Sequence, residues 1–138
     1  MPITFILDGV KPTPMHRPRV SIRGGYPHAY KDKKQKEYED ALDFAISKRW
    51  YLMGTDSNKP APISNPCKLE VQFWFKQPKS NKTNYHQQRP DVDNLTKQLL
   101  DSLVRCGVIT DDSIIYDIHA QKLWRENDAV RFEITLME

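Results

Sequence analysis

The stretch Cys67–Phe75, CKLEVQFWF, alternates apolar and polar residues and puts Leu69, Val71, Phe73 and Phe75 on one face. A period of two in side chains this large describes a strand with one side buried, and that side needs a covering layer. Two helical periods can supply it. Leu95, Leu99, Leu100, Leu103 and Val104 recur at helical spacing, Pro90 keeps Arg89 out of the helix, and Gly107 supplies the stop. A second helix fits residues 32–50, with Tyr38, Ala41, Leu42 and Ala45 as its stripe and Asp32 suited to the N-cap. Three more runs alternate: Ile3, Phe5 and Leu7; Ile114, Tyr116, Ile118 and Ala120; and Val130, Phe132, Ile134 and Leu136. RENDA, between the last two, reads as a hairpin turn. A short hairpin also fits PRVSIRGGYPHAY inside the Pro- and Gly-rich residues 9–30. The order strand, loop, helix, strand, helix, strand, strand predicts one α+β domain over residues 1–138, a small mixed β-sheet with two main helices packed on it.

At 138 residues and 38% hydrophobic content the chain can build one core, part of which could lie at a subunit interface. No apolar run reaches the roughly 20 residues of a membrane helix. The N-terminus MPITFILDGVKP lacks the basic and apolar regions of a secretory signal, so a cytoplasmic location without membrane contact is expected. Cys67 and Cys106 match no metal or redox motif and read as reduced thiols. The histidines fit no ligand spacing; His119 reads as a strand residue and the others as loop polars.

Net charge is only +3, but its distribution is uneven. Residues 9–36 carry eight Lys or Arg against the single acid Asp32, and residues 76–90 carry four and no acid. Basic segments rich in Pro, Gly, Asn and aromatics fit a polyanion, although one alone would be an ordinary solvated surface. Here two of them flank an acidic cluster. Asp91 and Asp93 stand at the start of the helix in RPDVDNLTKQLLDSL, and Asp111 and Asp112 follow it in GVITDDSIIYD. One Asp at a helix start is a cap, and an Asp–Asp pair at a loop is a turn former. A helix has a single N-cap position, however, so the second carboxylate needs another reason. Two Asp at a helix start and one or two at a neighbouring strand end can converge. Carboxylates held close repel unless a cation joins them, and hard oxygen donors select Mg²⁺, Mn²⁺ or Ca²⁺ over Zn²⁺. Lys97, one turn beyond Asp93, is either a surface partner of Asp93 or Asp101 or a group that meets a phosphate oxygen. Carboxylates, a hard metal, a lysine and basic loops together describe metal-assisted hydrolysis of a phosphodiester.

These residues resemble the RusA-like Holliday junction resolvases. DVDNLTKQLLDSL looks like the family's D-x-D-N-x-x-K-x-x-x-D-x-L signature, and it continues into GVITDDSIIYDIHAQK, similar to the family's G-x-x-x-D-D stretch with a later acid and lysine. GVKPTPMHRPRV followed by YKDKKQKEYEDAL is similar to its opening, and the resemblance covers nearly the whole chain. It implies a homodimeric, Mg²⁺-dependent endonuclease, with Mn²⁺ as a substitute, that cuts four-way DNA junctions by paired nicks. By the same resemblance Asp91, Asp93 and Asp112 match the metal-binding carboxylates and Lys97 the catalytic lysine. Asp101 and Asp111 match acids less clearly tied to catalysis, and Lys122 falls where the family often has a basic residue. Two departures stand out: the loop QPKSNKTNYHQQRP is long, and Pro90 replaces a common basic residue. Arg17, Arg19, Arg23, Lys79, Lys82, Arg89 and Lys122 are the candidate DNA contacts. Two alternatives remain at this stage: a nuclease acting on flaps or other branched DNA with the same site, and a junction-binding protein that no longer cuts.

Overall fold

A computed structural model describes residues 2–12, 19–23, 26–30, 33–54, 59–77, 91–125 and 131–138, with the backbone alone for residues 19–23, 26–30 and 131. The sheet is organised around β4 (Cys67–Lys76), whose alternate residues Cys67, Leu69, Val71, Phe73 and Phe75 are all buried. β6 (Arg131–Met137) pairs with it antiparallel and buries Phe132, Ile134 and Leu136 on the same face. β1 (Ile3–Asp8) pairs antiparallel with β6 and adds Phe5 and Leu7. β5 (Ile115–Arg125) lies parallel to β4 on its other side, giving the order β1-β6-β4-β5. β2 (Arg19–Arg23) and β3 (Tyr26–Tyr30) form a separate antiparallel hairpin, as their sequence leads one to expect.

Both helices lie on the apolar face of the four-stranded sheet. α1 (Lys33–Leu52) buries Tyr38, Leu42, Ile46 and Trp50, a spacing of four that makes one stripe, and it meets β1; Ala41, expected in the stripe, is exposed, and Ala45 is half-buried. α2 (Val92–Arg105) buries Leu95, Leu99 and Leu103 and lies against β5 and α1. Phe5 and Trp50 pack with ring centroids 5.9 Å apart, and Phe73 meets Phe132 edge-on at 5.2 Å. The opposite face of the sheet is polar: Thr4, Glu70, Gln72, His119, Gln121, Glu133 and Thr135 line a shallow groove there. His119 is therefore a strand residue, paired across the sheet with Glu70.

α2 ends as the sequence predicts. Gly107 takes a positive φ of 72°, its N–H donates to Val104 O, and the Val108 N–H donates to Leu103 O at 2.9 Å. That is a Schellman closure, with Leu103 and Val108 both buried in the core. Asp32 lies outside the described residues, so its cap does too.

Strand neighbours also depart from expectation. The hairpin expected of the strands on either side of RENDA is not formed, because β5 and β6 flank β4 on opposite sides and do not pair with each other. β6 buries every second residue and belongs inside the sheet. β5 is an edge strand, and its Tyr116 and Ile118 remain 61% and 46% exposed. A register shift between Cys67 and Lys68 marks where β5 joins β4. Cys67 is buried and Cys106 half-buried, both as free thiols, and burial pushes the Cys67 thiol pKa up.

Candidate active site

α2 connects two parallel neighbours, β4 and β5, so it runs back against their direction. Its N-terminal turn is where a β-α-β unit offers unpaired N–H groups and the positive end of a dipole. Asp91 occupies the N-cap position with extended backbone, φ −73° and ψ 143°, yet its side chain makes no capping hydrogen bond. Its backbone oxygen accepts the first helical bond, from Leu95 N at 3.1 Å. Asp93 accepts only from the neighbouring Asn94 N–H, at 2.9 Å, among the hydrogen bonds of the described residues. Both carboxylates are exposed. The ordinary explanation of Asp91, a helix cap, is therefore not used by its side chain.

Lys97 is also exposed. Among the described residues it forms no ion pair, so the surface pairing with Asp93 or Asp101 is not made. Asp101 instead acts on Arg105, whose pKa is raised first of all by its hydrogen bond to Asp43.

The second carboxylate pair follows α2. Asp111 stands at the cap of a single 3-10 turn, Asp112–Ile114, again without a capping side-chain bond, and both acids are exposed. The Ser113 hydroxyl donates to Asp111 at 2.5 Å and holds its carboxyl below the usual range. Asp112 opens the 3-10 turn that leads into β5.

Lys122 lies further along the same strand. Its register partner is Phe73, which puts it on the helix-covered face beside α2, half-buried. Burial pushes its ammonium pKa down, while Asp91, close enough to act on it, pulls the value back up. Lys122 thus lies on the helix-covered face, close enough to Asp91 to interact with it. Of the other candidate DNA contacts, Arg17, Lys79, Lys82 and Arg89 lie outside the described residues, and Arg19 and Arg23 are placed on β2 by their backbone alone.

The two acidic pairs do not gather in one chain. Asp91 acts on Lys122, whereas Asp112 precedes Ile115, and seven residues of strand, about 23 Å at roughly 3.3 Å each, run between those two positions. Among the described residues no three Asp, Glu, His or Cys side chains group closely enough to hold a metal ion. The exposed carboxylates have the chemistry of a hard-cation site, but a single chain does not place three of them together.

Comparison with known proteins agrees with the sequence motifs. The family model described as Endodeoxyribonuclease RusA matches residues 9–137. A curated relative, the crossover junction endodeoxyribonuclease rusA of Lactococcus phage r1t, is 35% identical over 71 residues. That match takes in 51% of this chain and 54%, about half, of the relative's length. No described helix is long and apolar enough to cross a membrane. With the family model matched across nearly its full length, the chain belongs to the RusA endodeoxyribonuclease family.

Proposed function

We propose that the chain is a divalent-cation-dependent endonuclease that resolves four-way DNA junctions by paired nicks. One observation carries the reading. Asp91, Asp93, Asp112 and Lys97 are exposed, and neither the Asp91 carboxylate nor the Lys97 ammonium is engaged in the structural role that would otherwise explain it. The relative from phage r1t, named as a crossover junction endodeoxyribonuclease, points the same way.

Asp91, Asp93 and Asp112 would hold Mg²⁺, with Mn²⁺ as a substitute. Bound there, the cation would supply a Lewis acid for the phosphate oxygen and would make a coordinated water more acidic. Lys97, one helical turn from Asp93, offsets negative charge at the scissile phosphate. Lys122 steadies Asp91 electrostatically. Arg17, Arg19 and Arg23, with Lys79, Lys82 and Arg89, grip phosphates away from the cut, and that grip weakens with salt.

The separation of the acidic pairs bears on assembly. A homodimer matches the two opposed cuts that a junction requires, and its two-fold axis allows the Asp112 end of one protomer to meet the Asp91–Asp93 end of the other.

The decisive experiment offers a four-way junction, a flap and a linear duplex to the protein in Mg²⁺, in Mn²⁺ and in chelator. Paired nicks in the junction are expected, with light scattering at twice the 16.2 kDa chain mass. Flap cleavage alone would replace the substrate, and junction binding without cleavage in either metal would make the chain a binder. Mixing inactive Asp91→Asn with inactive Asp112→Asn protein should restore cutting through mixed dimers if the acids meet across protomers. No recovery would return the whole acid set to one chain.

A further inference from the structure

The contact between the helices is not apolar throughout. At the α2 N-terminal end two glutamines are buried between α1 and α2, Gln35 and Gln98, each only 3% exposed. Gln35 Nε2 donates to Gln98 Oε1 at 2.9 Å, and Gln98 Nε2 donates to Asn94 Oδ1 at 3.1 Å. Gln35 Nε2 also reaches Glu39 Oε1, at 3.3 Å. The hydrogen bonds run in one direction, from the first turn of α1 to the first turn of α2. They reach Asn94, whose backbone N–H donates to the Asp93 carboxylate.

A buried amide pair is an expensive way to join two helices. Apolar side chains of the same size would join them without the cost of desolvating polar groups, whereas satisfied polar networks fix one geometry and exclude neighbouring ones. Here the geometry that is fixed is the turn bearing Asp91 and Asp93. The other end of the network sits in the first turn of α1, beside the exposed Lys33, Lys34 and Lys36 and directly after the hairpin that carries Arg19 and Arg23. The network therefore lies between the part of the chain suited to gripping DNA and the part suited to cutting it.

We propose that Gln35 and Gln98 are positioning residues for cleavage, which hold the first turn of α2, through Asn94, at a fixed setting against α1. The proposal rests on the nuclease reading given above. Gln98→Met keeps the size and removes the hydrogen bonds to Gln35 and Asn94. Gln98→Glu keeps the acceptor for Gln35 and removes the donor to Asn94. Gln35→Met cuts the network at its other end.

Each variant is compared with wild type in thermal midpoint, junction affinity, kcat and KM, and in amide exchange at Leu95 and Thr96. Positioning predicts that kcat falls about ten- to a hundredfold while KM and affinity stay within about twofold, since small misplacement of a reacting group is costly. It also predicts faster exchange at Leu95 and Thr96 with the core amides of β4 unchanged, and a defect in Gln98→Glu close to that of Gln98→Met. An unchanged kcat, or a fall that only follows the unfolded fraction, overturns the proposal. If Gln98→Met does not fold, Gln35→Met and Gln98→Glu decide by the same criteria. Unchanged exchange at Leu95 and Thr96 sinks the positioning role even in an active enzyme. A wild-type chain that cuts no branched DNA instead sinks the nuclease reading, whatever the exchange data show.

Discussion

The two ends of α2 use the same kinds of side chain in opposite ways. At the C-terminal end, Asp43 of α1 accepts hydrogen bonds from Ser102 and from both Nε and Nη2 of Arg105, the latter two at 2.9 Å. Cys106 donates to the Asp43 backbone oxygen at 3.3 Å, and Leu103, Val108 and Ile109 are buried beneath. Polar groups there are absorbed into the fold. At the N-terminal end, Asp91, Asp93 and Lys97 are exposed, while Leu95, Thr96 and the amide network are buried beside them. Local departures of this kind, an acid at the N-cap position whose side chain makes no cap, concentrate at functional sites.

The largest effect should come from the exposed acids. Asp91→Asn, Asp93→Asn and Asp112→Asn should each lower junction cleavage by about a hundredfold or more, as expected when a cation ligand is lost. Their thermal midpoints should hold or rise. Wild-type cleavage in Asp112→Asn would erase the contrast between the two ends.

Next comes the core of the C-terminal end. Leu103→Ala should cost about 3 kcal/mol in urea unfolding, within the range for a buried leucine, and leave kcat per folded molecule unchanged. A specific loss of kcat here would mean that the two ends are not separate in function. Asp43→Ala should cost less, about 1–2 kcal/mol, mostly from the stranded Ser102 hydroxyl. The ion-pair share is small because the Arg105 and Asp43 side chains are 39% and 29% exposed, where water screens them.

The smallest effect sharpens the comparison most. Asp91→Ala should cost well under the roughly 1 kcal/mol of a lost N-cap, because its side chain makes no capping bond. A full cap penalty in denaturant melts would show that the carboxylate serves the helix after all.

The sequence reading located faces better than neighbours. Alternation in β4, the stripe Leu95–Leu99–Leu103 and the stop at Gly107 are local patterns, and each corresponds to an observed element. Strand order depends on pairings between distant residues, which alternation does not encode. That is why RENDA read as a hairpin, and why Tyr116 and Ile118 alternate like core residues yet lie exposed on an edge. The carboxylates were legible as chemistry, whereas their separation within one chain was not, since it depends on how far β5 runs beyond Asp112. Gln35 and Gln98 were missed because glutamine at a helix surface is ordinary. The available signal was position: Gln35 precedes Tyr38 by three residues on the buried stripe, and Gln98 lies between Leu95 and Ser102 at helical spacing.

The place of β6 governs when this domain can exist at all. It follows β5 in the chain but enters the middle of the sheet, where Leu136 pairs with both Ile3 and Leu69. On the ribosome, β1 and β4 emerge long before the strand that joins them, and until it arrives neither can close the core they share. Pairings over such sequence separations form slowly. A nascent chain of this protein therefore waits with β4's apolar face incomplete, and removing the seven residues of β6 would split the sheet at its centre instead of trimming its rim.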